Sequence, residues 1–182
     1  SAVVSPGVVR HGFGDRLIVG EPSGGASARC DAVAALLARA GFQVEVAPQI
    51  QQEIWLKLWG NMTMNPVSAI TGATADRILD DPLVREFMSA AMREAARIGE
   101  AIGLAVGMTP DERHAVPRQL GAFRTSMLQD VQGGRPIELD ALVGAVAEMG
   151  RQAGVPTPSI DALFGLARLF GRTRGLYPEG DA

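Results

Sequence analysis

From Glu53 to Pro66 the chain runs Glu-Ile-Trp-Leu-Lys-Leu-Trp-Gly-Asn-Met-Thr-Met-Asn-Pro. Wound as a helix, this stretch is apolar on nearly every side, and such a helix is usually buried. Any fold the chain adopts must therefore wrap other elements around it. The polar exceptions are Lys57, Asn61 and Asn65, spaced by four. At about 100° per residue that spacing keeps all three on one slowly drifting stripe. Ile54, Trp55, Leu56, Leu58, Trp59, Met62 and Met64 cover most of the remaining circumference. Burying an ammonium and two amides costs free energy unless they find partners. A polar ligand in a cleft would offset that cost. Two plainer readings stand beside this one: lysines on helices mostly face solvent, and Asn65 can cap backbone freed by Pro66.

The rest of the composition narrows the function classes. A chain of 182 residues suits one domain, or a small domain with part of another. Its 47% hydrophobic content supports a core and argues against disorder. Seventeen basic residues stand against twenty acidic ones with no basic block, so nucleic acid has no electrostatic footprint here. Apolar runs such as Ala32 to Ala38 are far too short to span a bilayer, and no signal peptide is recognisable. The single cysteine, Cys30, makes no internal disulfide, which favours a reducing, cytoplasmic setting. With His11 and His114 as the only histidines, no metal-ligand cluster is visible.

Two regions differ in pattern. Val8 to His11 and Arg16 to Gly20 read as short strands, Ala26 to Ala40 as a helix stopped by Gly41, and Phe42 to Val46 as a strand. Strand–helix–strand order is an α/β signature. After Pro48 the strand signals vanish. Gln49 to about Asn65 forms the apolar helix, with a kink or break expected at Pro66. Asp81-Pro82 and Thr109-Pro-Asp-Glu112 are helix starts, the first a cap with proline at the first helical position and the second a capping box. Ile137 to Gln152 reads as a helix ended by Gly154, and Thr157-Pro158 opens the last one. The tail from Gly171 to Ala182 is expected to be loosely ordered. The expected fold is mainly α, a helical domain over residues 49–182 preceded by a partial α/β remnant over residues 1–48.

A second polar group stands later in the chain: Ser126-Met-Leu-Gln-Asp130, a Gly-Gly loop, then Glu138 at a helix entrance. Ser126 can back-bond within a helix, and Glu138 can simply complement a helix dipole. Gly12-Phe-Gly14 is only part of a dinucleotide fingerprint, and the residues after it read as a strand, so it is a turn. His11 and His114 read as ordinary polar residues, and the tryptophans as core.

The run from Glu53 through Asn65-Pro-Val-Ser-Ala69 closely resembles the signature helix of ketopantoate reductases. Ser126 to Asp130, followed by Gly-Arg-Pro-Ile-Glu138-Leu-Asp140, resembles their second motif, and Pro6 to His11 with Ile18 to Glu21 looks like the end of their dinucleotide-binding domain. The resemblance covers essentially the whole chain. It implies an N-terminal Rossmann domain followed by a helical domain of the 6-phosphogluconate dehydrogenase-like type, with the active site in the cleft between. It implies NADPH-dependent reduction of 2-dehydropantoate to pantoate, on the route to pantothenate and coenzyme A. In that scheme Lys57 is the general acid, Asn61 and Asn65 hold the substrate's oxygens, and Ser126 donates to its carboxylate. Glu138 stands on the cofactor side, and Ala2 falls where the family brings a small residue near the cofactor.

Two departures temper the resemblance. A substrate-binding asparagine common in the family about ten residues past Asn65 is replaced here by Ala75, which leaves the 2-keto acid open. No Gly-rich strand–turn–helix fingerprint occurs in the chain, so it reads as a fragment in which NADPH binding needs the rest of the protein. The alternatives are a reductase of another 2-keto or imino acid, and a non-catalytic helical module that forms a homodimer.

Overall fold

The computed structural model describes residues 2–12 and 14–179. Strands β1 (Ala2–Ser5) and β2 (Val8–Arg10) pair as an antiparallel hairpin. Strand β3 (Arg16–Val19) then leads through helix α1 (Ala28–Arg39) to strand β4 (Gln43–Val46). Because a helix carries the backbone from one strand to the next, β3 and β4 lie parallel, in register from Arg16↔Gln43 to Val19↔Val46. This is the strand–helix–strand unit read from the sequence. The Ser27 hydroxyl caps α1 by accepting from the Cys30 N–H at 3.0 Å. Arg29 and Ser27 both donate to Glu21 and hold its carboxyl below the usual carboxylate range. Val33 and Leu36 of α1 are exposed.

The chain divides between Ile54 and Trp55 into two compact units. The division falls inside α2 (Ile50–Thr71), which continues as helix past Pro66. The break expected there is absent. Pro66 removes the N–H that would bond the Met62 carbonyl, but every residue from Met62 to Ala69 is buried, and packing on all sides outweighs one lost bond. Burial also shifts along the helix from where composition placed it. Ile54 and Lys57 are exposed, whereas the later half is enclosed.

Beyond α2 the second unit is helical: α3 (Ala75–Asp80), α4 (Pro82–Ala101), α5 (Pro110–Arg118), α6 (Ser126–Gln132), α7 (Ala145–Ala153) and α8 (Pro158–Thr173). Short-range cap chemistry sets many of the boundaries. The Asp81 carboxylate accepts from the Leu83 and Val84 N–H groups at 3.0 Å each, ahead of Pro82. Thr109 and Glu112 form the capping box of α5. Gly154 ends α7 in the left-handed region at φ 67. The single helix expected from Ile137 to Gln152 instead begins with a π-helical turn, Asp140–Gly144, that runs into α7.

The inward face of α4 carries Met88, Ala91, Met92, Ala95 and Ile98 at helical spacing, all with 0% exposure. The last four join Trp55, Trp59 and Met62 of α2 in the larger core cluster. Met88 belongs to a smaller one with Met64, Val67 and Leu79. The indole N–H of Trp59 donates to the Met92 carbonyl at 2.7 Å and fixes α2 against α4. The tail is not loose through Tyr177. Leu176 is 6% exposed and its carbonyl accepts from the Ile137 N–H at 2.9 Å, while Tyr177 Oη donates to Asp140 Oδ1 at 2.6 Å. The last three residues of the tail, 180–182, lie outside the described residues. Among the described residues no helix is long and apolar enough to cross a membrane.

Glu94 is 5% exposed, and its carboxylate caps α8 from a distance. It accepts from the Ser159 N–H at 2.9 and 3.0 Å and from the Ile160 N–H at 3.0 Å. Thr157, at the cap position itself, makes no such bond. Removing the acceptor strands buried donors at a helix start, so Glu94→Ala is expected to cost about 1–3 kcal/mol. Glu94→Gln keeps one oxygen and is expected to cost less. Urea unfolding of the two variants measures the difference.

Candidate functional site

The polar stripe of α2 sinks into the protein along its length. Lys57 is exposed, Asn61 half-buried and Asn65 only 6% exposed. Asn61 and Asn65 line one cavity of about 160 Å³. Neither amide makes a side-chain hydrogen bond among the described residues. Burial without partners, expected for this stripe, thus holds for the asparagines. Lys57 differs: in this chain it is not desolvated, and it has no ion-pair partner among the described residues.

Helices α4 and α5 and the segment leading to α6 complete the cavity. Met64, Met88, Leu120 and Phe123 give it an apolar wall, and Arg113 and His114 add polar groups that motif reading missed. Arg113 is half-buried and its guanidinium meets no carboxylate among the described residues. Burial lowers its pKa from the ordinary value, though a guanidinium remains a cation in proteins. His114 is 6% exposed, and neither ring nitrogen has a hydrogen-bond partner among the described residues. It is no ordinary surface histidine. The available signal was its place on α5: Arg113, His114 and Pro117 fall on one face of the helix that the capping box starts.

The remaining sequence candidates lie elsewhere. Thr125 lines the cavity and caps α6, accepting from the Leu128 N–H at 3.1 Å. Ser126 follows it as the first residue of α6, exposed and without a side-chain hydrogen bond among the described residues, so it does not back-bond. Glu138 is exposed just before the π-helical turn, its carboxylate unpartnered among the described residues and its carbonyl accepting from the Leu142 N–H at 3.3 Å. Neither Lys57, Ser126 nor Glu138 lines the cavity. Ala2 stands in β1 opposite Arg10. Ala75 is 0% exposed and packs in the smaller core cluster, so its side chain faces protein.

His114 carries a pH signature. Burial lowers its pKa, Arg85, Arg113 and Arg118 act in the same direction, and Asp111 opposes them. The folded state therefore binds its proton less readily than the unfolded chain. Stability is fully present above the unfolded imidazole value and is lost as pH falls from there toward the lowered folded value. The melting temperature is expected to fall between pH 7.5 and 5, and to fall less in His114→Leu. At pH 7.5 that variant is expected to lie within about 1 kcal/mol of wild type, because no hydrogen bond is lost.

With this geometry in place, the comparisons are specific. The family model described as ketopantoate reductase PanE/ApbA C terminal matches residues 49–170. The 2-dehydropantoate 2-reductase of Mesorhizobium japonicum is 45% identical over 96% of this chain and 54% of its own length. A Ralstonia solanacearum crystal structure, provisionally named a ketopantoate reductase, superposes with a TM-score of 0.93 at 60% identity, over 97% of this chain and 54% of that one. The 2-dehydropantoate 2-reductase structure from Methylococcus capsulatus gives a TM-score of 0.87 at 26% identity, over 94% of this chain and 60% of that one. The chain spans about half the length of the curated relatives it matches.

Proposed function

Because this chain belongs to the ketopantoate reductase family by the match of its residues 49–170, we propose that it forms the substrate wall of an NADPH-dependent 2-dehydropantoate reductase. The product, pantoate, would feed pantothenate and coenzyme A synthesis. The observation that carries this reading is the pair of unpartnered amides, Asn61 and Asn65, lining one cavity on the same stripe as Lys57. Exposure of Lys57 alone would suit a non-catalytic helix equally well. The cavity that Asn61 and Asn65 line further along the stripe is what favours catalysis.

The roles are those the family resemblance implies, and the chemistry of the groups suits them. Asn61 and Asn65 donate from their amide nitrogens to the oxygens of the bound 2-keto acid and orient its carbonyl. Ser126 donates to its carboxylate. As C2 of the substrate is reduced, the carbonyl π pair moves to oxygen, and Lys57 Nζ delivers a proton to that oxygen. The positive charge of Lys57 also stabilises the alkoxide as it develops. NADPH supplies the hydride when bound. Of its contacts this chain offers a limited part: Glu138, an exposed carboxylate suited to a ribose hydroxyl, and Ala2, small enough for close approach. The glycine-rich pyrophosphate turn is not in this sequence. The reading thus concerns the complete reductase, of which this chain supplies one wall.

One observation favours a second reading, reduction of a different 2-keto or imino acid. At the position of the missing asparagine, Ala75 is sealed in the core and offers no polar contact. Steady-state kinetics of the complete enzyme with NADPH, comparing 2-dehydropantoate with a panel of 2-keto and imino acids, tests the choice. The highest kcat/KM is expected for 2-dehydropantoate. A tenfold preference for another acid would replace it.

A further inference from the structure

The cavity on α2 holds a cation with no carboxylate to neutralise it among the described residues. Arg113 is half-buried and without a carboxylate partner among the described residues. A Cβ built on Gly60 would stand 2.5 Å from Arg113 Nη2 and 2.7 Å from its Cζ and Nε. The guanidinium therefore lies against the α2 backbone at Gly60, one residue before Asn61. Gly60 is the residue that leaves it room. His114, nine-tenths buried, lines the same cavity with both ring nitrogens unpartnered. Asn61 and Asn65 add two amides without side-chain partners among the described residues.

These groups are rich in donors. A guanidinium only donates, each amide brings two N–H donors, and a neutral imidazole brings one. An unpaired, partly buried cation is costly, and a carboxylate answers it with charge and fork geometry together. The apolar part of the lining, Met64, Met88, Leu120 and Phe123, suits a hydrocarbon skeleton. A volume of about 160 Å³ restricts the ligand to a small molecule.

We propose that Arg113, seated on Gly60, is the carboxylate-binding residue of this cavity, and that with Asn61 and Asn65 it selects small 2-keto acids with an apolar carbon skeleton. The proposal rests on the reading of the α2 stripe as a substrate wall. It adds to that reading a countercharge, which the Ser126 hydroxyl cannot provide. A bound carboxylate oxygen also gives the His114 N–H the acceptor it lacks.

Titration of the ¹⁵N-labelled chain by NMR tests this without turnover. The probes are 2-dehydropantoate, its neutral lactone, and 2-oxo-3-methylbutanoate. Both acids are expected to shift the amides of Gly60, Asn61, Asn65 and α5 saturably, with the lactone at least about tenfold weaker. Arg113→Ala is expected to weaken the acids about 10- to 100-fold, to the level of the lactone. Gly60→Ala, which displaces the guanidinium without removing it, is expected to weaken them by a smaller factor. Circular dichroism melts establish that both variants are folded, and Arg113→Lys, which keeps charge but loses the fork, should fall between. Equal binding of acid and lactone, unchanged acid binding in Arg113→Ala, or no saturable shift with either acid up to about 20 mM overturns the proposal. Arg113-dependent binding of 2-oxo-3-methylbutanoate without binding of 2-dehydropantoate supports the subsite and removes 2-dehydropantoate as the substrate.

Discussion

Lys57→Ala in the complete reductase is expected to lower kcat by about 10²- to 10⁴-fold, the range associated with losing a positioned general acid. The structure makes this a clean experiment. Lys57 is exposed and has no hydrogen bond or ion pair among the described residues, so its removal should leave the fold almost unchanged, within about 0.5 kcal/mol. KM should rise much less than kcat falls, since binding is assigned to Asn61, Asn65, Ser126 and Arg113. Lys57→Arg keeps the positive charge but holds its proton too firmly to deliver it near neutral pH. It should recover part of the charge stabilisation and little of the turnover. Steady-state kinetics beside thermal melts reads all of these at once. A Lys57→Ala enzyme with wild-type kcat would end the general-acid assignment and favour a non-catalytic role for the stripe.

The second large effect is on stability. Trp59 is 1% exposed, and its ring lies in the larger core cluster. Trp59→Ala is expected to cost about 3–5 kcal/mol through lost burial and the cavity left behind. Domains of this size commonly hold only about 5–15 kcal/mol in total, so the variant should sit close to unfolding at 37 °C. Trp59→Phe retains most of the packing and loses the bond to the Met92 carbonyl, for which about 1 kcal/mol is expected. Urea unfolding of this chain separates the two contributions. A loss below about 1 kcal/mol for Trp59→Ala would mean that α2 is not the post around which the helices pack.

What the sequence disclosed and what it withheld divide along the range of the interactions. Asp81-Pro82, the Thr109–Glu112 box and Gly154 act within one turn of backbone, and each appears where its residues stand. The polar stripe of α2 is likewise a matter of spacing along one helix. Continuation through Pro66 is different, because it depends on neighbours that enclose Met62 to Ala69 from elsewhere in the chain. The tail reads as loosely ordered, yet Leu176 is tied to Ile137 across a long separation. Arg113 passes unnoticed and His114 reads as an ordinary polar residue for the same reason. Their shared face on α5 is legible, but not that this face meets Asn61 and Asn65. Lys57 is the opposite case: its apolar neighbours suggest burial, and the plainer solvent-facing reading is the one the first turns of α2 give.

The π-helical turn at Asp140–Gly144 has a consequence for how Glu138 is aimed. A wide turn accommodates one residue more than an α-turn over the same rise. Deleting a single residue there would let the segment relax to ordinary α geometry, leaving α7 seated as before. Everything ahead of it, Glu138 included, would stay near its present angle, because the wide turn already takes up the extra residue. The same deletion within regular α7 would swing it by about 100° around the helix axis. The turn works like slack in a shaft coupling: it takes up one residue of length while the exposed carboxylate and the packed shaft keep their angular relation.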